Sequence, residues 1–240
     1  MEKTIKVVGV ISSMNRNGNT ATLVREALKG AEKCGAVVEE IYLPEKKIEF
    51  CQGCLRCMST GKCHINDDFE NIKEKIRAAD GLILSSPTYC AAPSATIKNL
   101  FDRLGVFEYA TSSVLGGKYV AAIATAGSFG AKQVVGYLSG IVRDSLMVKG
   151  YVCGNLAIHL KSSTVHTLSG VLKRAELLGS KLTQDIKRKN RYPFQNFIMR
   201  VIIDNVIKPN FMKVICHNAK GSFKGVYENL LNRTLIGTNN

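Results

Sequence analysis

Residues 4–20 read Thr-Ile-Lys-Val-Val-Gly-Val-Ile-Ser-Ser-Met-Asn-Arg-Asn-Gly-Asn-Thr. The first nine are β-branched and almost wholly apolar, the pattern of a strand buried on both faces. The next eight, Ser13 to Thr20, are polar, and apolar residues then return at helical spacing at Leu23, Ala27, Leu28 and Ala31. Asn19 or Thr20 can cap that helix. The same unit of buried strand, loop and helix recurs along the chain. Further strands are expected over Val37–Leu43, Gly81–Ser86, Tyr119–Thr125 and Tyr151–Ile158. The helices between and after them run from near Asp67 to Ala79, Ser94 to Leu104, Lys132 to Val148 and Thr164 to Lys189. Five units are too few for an eight-membered barrel. They predict an α/β protein with a doubly wound, five-stranded parallel sheet and ligands at the C-terminal strand ends.

The chain has 240 residues, 45% hydrophobic and 22% charged, the balance of a globular protein with a proper core. No apolar run approaches a membrane span, and the start of the sequence lacks the length and cleavage site of a signal peptide. A cytoplasmic setting is therefore expected, where eight cysteines point to metal or redox work rather than disulfides. The net charge of +14 invites a nucleic-acid reading, but no aromatic-rich basic face or helix-turn-helix pattern supports a specific one. Much of the excess is local: from Lys187 onward, ten Lys or Arg face only Asp204 and Glu228.

Between the second strand and the next helix lies Cys51-Gln-Gly-Cys54-Leu-Arg-Cys57-Met-Ser-Thr-Gly-Lys-Cys63, spaced C-x2-C-x2-C-x5-C. Two-residue gaps let successive thiolates turn onto one small object, and Gly53 and Gly61 suit the turns. The spacing is like that of iron–sulfur loops. Zinc sites more often pair two separate knuckles, and a second one is missing. Ordinary free cysteines or a labile disulfide also fit the residues alone. His64 follows directly, as an alternative ligand or a simple loop residue.

Three strand-to-helix loops carry further signals. Ser12 to Thr20 offers hydroxyls and open amides at a helix N-terminus, which suits a terminal phosphate or serves as a polar turn. Neither a Walker motif nor Gly-x-Gly-x-x-Gly occurs, which argues against triphosphate hydrolysis and a dinucleotide fingerprint. Ser85-Ser86-Pro87-Thr88-Tyr89 could set amides and an aromatic ring beside a flat heterocycle. Thr125-Ala126-Gly127-Ser128 leaves room for backbone to approach it from another side.

The loop at 12–20 resembles the phosphate loop of the flavodoxin-like NAD(P)H-dependent FMN reductases. The cysteine pattern with the following Ile65, Asp67 and Asp68, the run Ala79 to Tyr89, and a helix bearing Lys98 and Phe101-Asp102-Arg103 resemble their iron–sulfur flavoprotein branch. The resemblance spans roughly residues 4–185 and implies strand order 2-1-3-4-5. It implies FMN phosphate held by Ser13, Asn15, Asn19 and Thr20. It implies a ring lined by Ser86, Pro87, Thr88, Tyr89, Thr125, Gly127 and Ser128, and a [4Fe–4S] cluster on Cys51, Cys54, Cys57 and Cys63. The expected activity is flavin-dependent oxidoreduction between an acceptor and NAD(P)H or a ferredoxin-type carrier, without a side-chain general base. An FMN-only quinone, nitro or azo reductase, a flavodoxin-like electron carrier and a zinc-stabilised binding module are the alternatives. The sequence departs from the family at Ser12, where glycine is usual, and at Met14-Asn15, where Pro-Arg is usual. Cys90 stands where a residue such as Phe commonly follows the tyrosine.

Residues 1–190 thus form the expected FMN domain and 191–240 a basic helical extension. In the extension Pro193 can open a helix, apolar residues from Phe194 to Ile203 recur at helical spacing, and Pro209 is expected to end it. A second piece runs from Phe211 to Leu231. The extension suits a homo-oligomer contact (dimer or tetramer) or an acidic redox partner, and less readily a membrane surface. His159, His166, His217, Cys34, Cys153 and Cys216 read as packing or surface residues.

Overall fold

A computed structural model describes residues 4–235, so the outermost residues of both expected domains lie outside the described residues. Five parallel strands form the sheet: β1 (Lys6–Ile11), β2 (Val37–Tyr42), β3 (Gly81–Tyr89), β5 (Tyr119–Ala126) and β6 (Tyr151–His159). A two-residue strand, β4 (Ala92–Pro93), turns back antiparallel on the end of β3. The order β2-β1-β3-β5-β6 is the expected 2-1-3-4-5 once β4 is set aside. The chain therefore reverses direction across the sheet between β1 and β3, and loops on both sides of that switch open at one edge.

Alternation along the central strands feeds two cores. Val8, Val10, Leu82, Leu84, Val120 and Ala122 face α3 (Phe69–Ala78), α4 (Ala95–Thr111) and α5 (Ala131–Arg143). Val7, Ile11, Ile83, Ala121 and Ile123 face α1 (Asn19–Lys33) and α6 (Val171–Lys187). A side chain cannot be added where the last two helices cross, because a Cβ at Gly179 would lie 1.7 Å from the Ala27 carbonyl oxygen. Helix α4 bends at Gly105, which takes φ 47° and ψ −143°, directly after the expected helix end at Leu104.

Several boundaries differ from expectation, each for a tertiary reason. α1 is capped by Gly18 without a side-chain bond. The Asn19 Oδ1 instead accepts from the Val165 N–H at 2.9 Å, across the molecule. α5 stops at Arg143, and the residues after it turn away to bury Leu146 and Met147 under the C-terminal extension. α6 begins at Val171, since residues 160–170 form the loop that meets Asn19.

The extension is helical, with α7 (Phe197–Ile202), α8 (Lys208–His217) and α9 (Lys224–Asn232). Pro209 does not end the helix. A π-helical turn over Ile203–Ile207 precedes it, and the wider turn absorbs the missing N–H and the ring. Pro193 sits in a turn, and α7 begins after Asn196. Ile203, Ile215, Val226 and Leu230 are buried against Met58, Phe107, Ala110 and Met147 in a third apolar cluster.

Candidate functional site

The three loops singled out in the sequence meet at the C-terminal edge of the sheet, held by separate short contacts. Ser12, fully buried, donates from Oγ to the Ser85 carbonyl at 2.8 Å and accepts from the Ser94 hydroxyl at 2.9 Å. The Ser94 N–H in turn donates to the Ser86 Oγ at 2.8 Å. This serine chain joins the first loop to the second. The buried hydroxyls of Thr20 and Thr125 lie 2.7 Å apart and join the first to the third. A Cβ on Gly130 would fall 2.7 Å from the Ala91 Cα, so the second and third loops touch.

Within the first loop Asn15 builds its own turn. Its Oδ1 accepts the Asn17 N–H at 3.1 Å, its carbonyl accepts the Gly18 N–H at 3.1 Å, and the Ser13 hydroxyl donates to that carbonyl at 3.4 Å. With no side chain capping α1, its first-turn amides stay open towards the loop. Such amides, at the positive end of a helix, form an anion cradle.

The second loop is strained. Cys90 and Ala91, neither a glycine, take φ 49° and 60° at the hairpin between β3 and β4. Each left-handed residue of this kind costs about 1 kcal/mol. The turn projects Tyr89, which is 58% exposed, at the mouth of the edge. Beside it, the Thr88 Oγ1 is buried without a hydrogen-bond partner. Gly127 opens the third loop, with no atom within 4 Å of where a Cβ would stand. His159, at the register position beside Ala126, also buries its Nε2 unpartnered. Two orphaned polar atoms on an edge with free space suit a polar planar ligand. His159, which reads from the sequence as a packing or surface residue, joins this edge with Ser94 and the loop at Val165, and only its position at a strand's C-terminal end hints at that.

The four expected metal-ligating cysteines line one cavity of about 410 Å³ together with His64 and Arg103. The short helix α2 (Arg56–Thr60) carries Cys57 and is stopped by Gly61 at φ 76°. Cys51 and Cys54 are exposed, whereas Cys57 and Cys63 are half-buried. The His64 Nδ1 lies 3.5 Å from the Cys54 sulfur. Burial, then the neighbouring Cys63, Cys54 and Cys51, push the Cys57 thiol above its ordinary range. Among the described residues no three His, Cys, Asp or Glu side chains are gathered closely enough to hold a metal ion.

The stem of this loop is fixed by a buried ion pair. Arg103 of α4 and Asp67 have no exposed side-chain surface and meet at 2.5 Å and 3.1 Å through two parallel bonds. Arg103 also donates to the Glu49 carbonyl at 2.8 Å and to the Cys63 sulfur at 3.4 Å, and its guanidinium lies 4.5 Å over the Phe69 ring. Burial opposes the charge on Asp67. Arg103 and the amides of Glu49 and Phe69 outweigh it and hold the carboxyl below its usual range. Asp67 and Asp68 thus anchor the loop as well as standing at the N-terminus of α3, with Asp67 accepting the Phe69 N–H at 3.0 Å and Asp68 the Lys47 N–H at 2.8 Å. On the other side α9 presses on α2, where a Cβ at Gly225 would lie 2.2 Å from the Gly61 nitrogen. Four thiols facing one cavity, beside a buried guanidinium already bonded to one sulfur, form a donor set fit for a thiolate-bound cluster.

Comparison with known proteins agrees in outline. A model of the NADPH-dependent FMN reductase family matches residues 5–159. An iron–sulfur flavoprotein of Archaeoglobus fulgidus is 31% identical over 189 residues, covering 78% of this chain and 83% of that protein. One from Methanocaldococcus jannaschii is 44% identical over 99 residues, which are 41% of this chain and about half, 51%, of that relative. Among solved structures, a flavone reductase superposes with a TM-score of 0.62 at 21% identity, covering 80% of this chain and 66% of that one, a likeness of fold.

Proposed function

We propose, since this chain belongs to the NADPH-dependent FMN reductase family and to its iron–sulfur flavoprotein branch, that it is an oxidoreductase with FMN at the three-loop edge and a [4Fe–4S] cluster in the cysteine cavity. The observation that carries the first half is the convergence of the three loops through contacts independent of one another. FMN phosphate would lie against Ser13, Asn15, Thr20 and the first-turn amides of α1. The Asn19 Oδ1 is occupied by Val165, so Asn19 would contribute its backbone N–H or its Nδ2. Ser86, Pro87, Thr88 and Tyr89 would line one side of the ring, and Thr125, Gly127 and Ser128 the other. The orphaned Thr88 hydroxyl and His159 Nε2 would gain partners there.

The chemistry these groups supply when bound is uptake of an electron pair at FMN and single-electron transfer at the cluster. The protein's part is to exclude water from the serine-stitched floor, to fix orientation and to set local charge. Cys51, Cys54, Cys57 and Cys63 would be the thiolate ligands. Arg103 would keep its hydrogen bond to the Cys63 sulfur. NAD(P)H or a ferredoxin-type carrier would be the donor, and a small molecule or redox protein the acceptor.

A second reading is favoured by the spread of the thiols, which leaves no three gathered: an FMN-only reductase of quinones or nitro compounds. Anaerobic purification followed by an absorption spectrum and iron and sulfide assays separates the two. The leading reading expects about four irons and matching sulfide per chain beside flavin bands. Flavin without iron would leave only the second reading, and neither flavin nor iron would remove both. Bleaching of the flavin by NADPH, with turnover on an added acceptor, distinguishes an enzyme from a passive carrier.

A further inference from the structure

We propose that the outer face of the C-terminal extension is a docking surface for an anionic lipid bilayer, lying in the headgroup layer. α7, the π turn and α8 make one nearly continuous rod over residues 197–217. Its inner side is committed to the body of the protein. Ile203 and Ile215 are buried, Arg200 donates to the carbonyls of Ser145 and Leu146, and Lys208 reaches the Met147 carbonyl. The outer side carries Phe197, Ile198, Val201, Ile202 and Val206, with Ile198 76% exposed, and Phe194, 85% exposed, stands in the turn just before it. A contiguous run of large apolar side chains at i, i+4 spacing is a surface that needs a cover.

Charge identifies the cover. From residue 188 to 220 the sequence has seven cations, Arg188, Lys189, Arg191, Arg200, Lys208, Lys213 and Lys220, against Asp204 alone. Asp204 is already held by Arg200 through bonds of 2.8 and 2.5 Å. With Arg200 and Lys208 turned to the body, the other five cations bracket the apolar stripe in sequence, three before it and two after. A second copy of the chain would bring a like-charged face against this one, on a protein whose net charge is already +14. A bilayer with anionic lipids meets both demands at once, with acyl surface for the phenylalanine and isoleucine side chains and phosphate for the flanking cations. No helix among the described residues is long and apolar enough to cross a membrane, so the contact is peripheral. This surface is independent of what the redox site holds.

The test is co-sedimentation of the full chain with vesicles of phosphatidylcholine, alone or mixed with phosphatidylglycerol. Binding to the mixed vesicles, weakened by salt, and little binding to the neutral ones is expected. The double variant Phe194→Ser with Ile198→Ser should lower partitioning ~10-fold or more. Lys213→Glu with Lys220→Glu should lower it by a similar factor on anionic vesicles. Both variants alter exposed side chains, and an unchanged melting transition and flavin content verify that they fold. Equal sedimentation with neutral and anionic vesicles, or none with either, would overturn the proposal. So would a dimer of the wild type that Phe194→Ser with Ile198→Ser converts to monomer while vesicles recover nothing, since the face would then belong to a second copy.

Discussion

The sheet edge and the cysteine cavity are built on opposite plans. At the edge, three loops are tied to one another by buried hydroxyl and backbone contacts, and the gaps left for a ligand are shaped before it arrives. In the cysteine loop only the stem is fixed, by Arg103–Asp67 on one side and Gly61–Gly225 on the other, while Cys51 and Cys54 stand exposed at the tip. The difference follows from what holds each region. A planar organic ligand binds best to preorganised walls. Thiolates repel one another and close only around a cation, and here burial, then the neighbouring cysteines, push the Cys57 thiol up.

That contrast can be broken first at the stem. Arg103→Met leaves the Asp67 carboxylate buried and unpaired, and should cost about 3–5 kcal/mol in chemical denaturation. It should also loosen the loop it anchors, so that backbone hydrogen exchange at Cys63 and Asp67 speeds up. If both stay at wild-type values, the stem is not what fixes the loop. Gly225→Val forces a side chain into the Gly61 backbone and should destabilise by about 1–3 kcal/mol, as overpacking does. Loop thiols should react faster while flavin affinity holds; lost flavin with unchanged thiols would show the two regions are not separate.

At the edge, Thr20→Val or Thr125→Val leaves one buried hydroxyl alone, at about 1–2 kcal/mol each. The double variant should cost less than the sum, and a coupling energy near zero would mean the 2.7 Å contact carries nothing. The smallest effect concerns acid. Asp67 is held below its usual range, so its contribution is present above the unfolded carboxyl value of about 3.9 and fades as pH falls through the lower folded value. Asp67→Asn should therefore flatten the stability profile below about pH 4, relative to wild type. An unaltered profile would locate the acid-sensitive pairing elsewhere.

The regular part of this architecture is written locally. Each buried strand is a run of β-branched residues, and each loop begins where that run ends, so sheet, order and the three-loop edge were legible from spacing and resemblance. What was not legible depends on residues far apart in the chain. Asn19 reads as a cap but is drawn off by Val165, 146 residues away. Asp67 reads as the start of a helix, where it does accept the first N–H, and nothing near it in sequence tells that it also answers a guanidinium on another helix. Pro209 reads as a stop, and only the π turn, a feature of backbone rather than composition, lets the helix pass. The four cysteines of the motif line one cavity, but spacing alone could not say how far apart their sulfurs lie.

The contact between Gly61 and Gly225 has a consequence in time as well as in space. About 160 residues separate the two glycines. At ribosomal rates of 5–20 residues per second the cysteine loop is complete roughly ten to thirty seconds before its clamp exists. Once Arg103 has been made, 40 residues after Cys63, the stem can form while the roof is still missing. The order of synthesis thus leaves the base of the loop, at Cys57 and Met58, uncovered until α9 emerges and packs on α2.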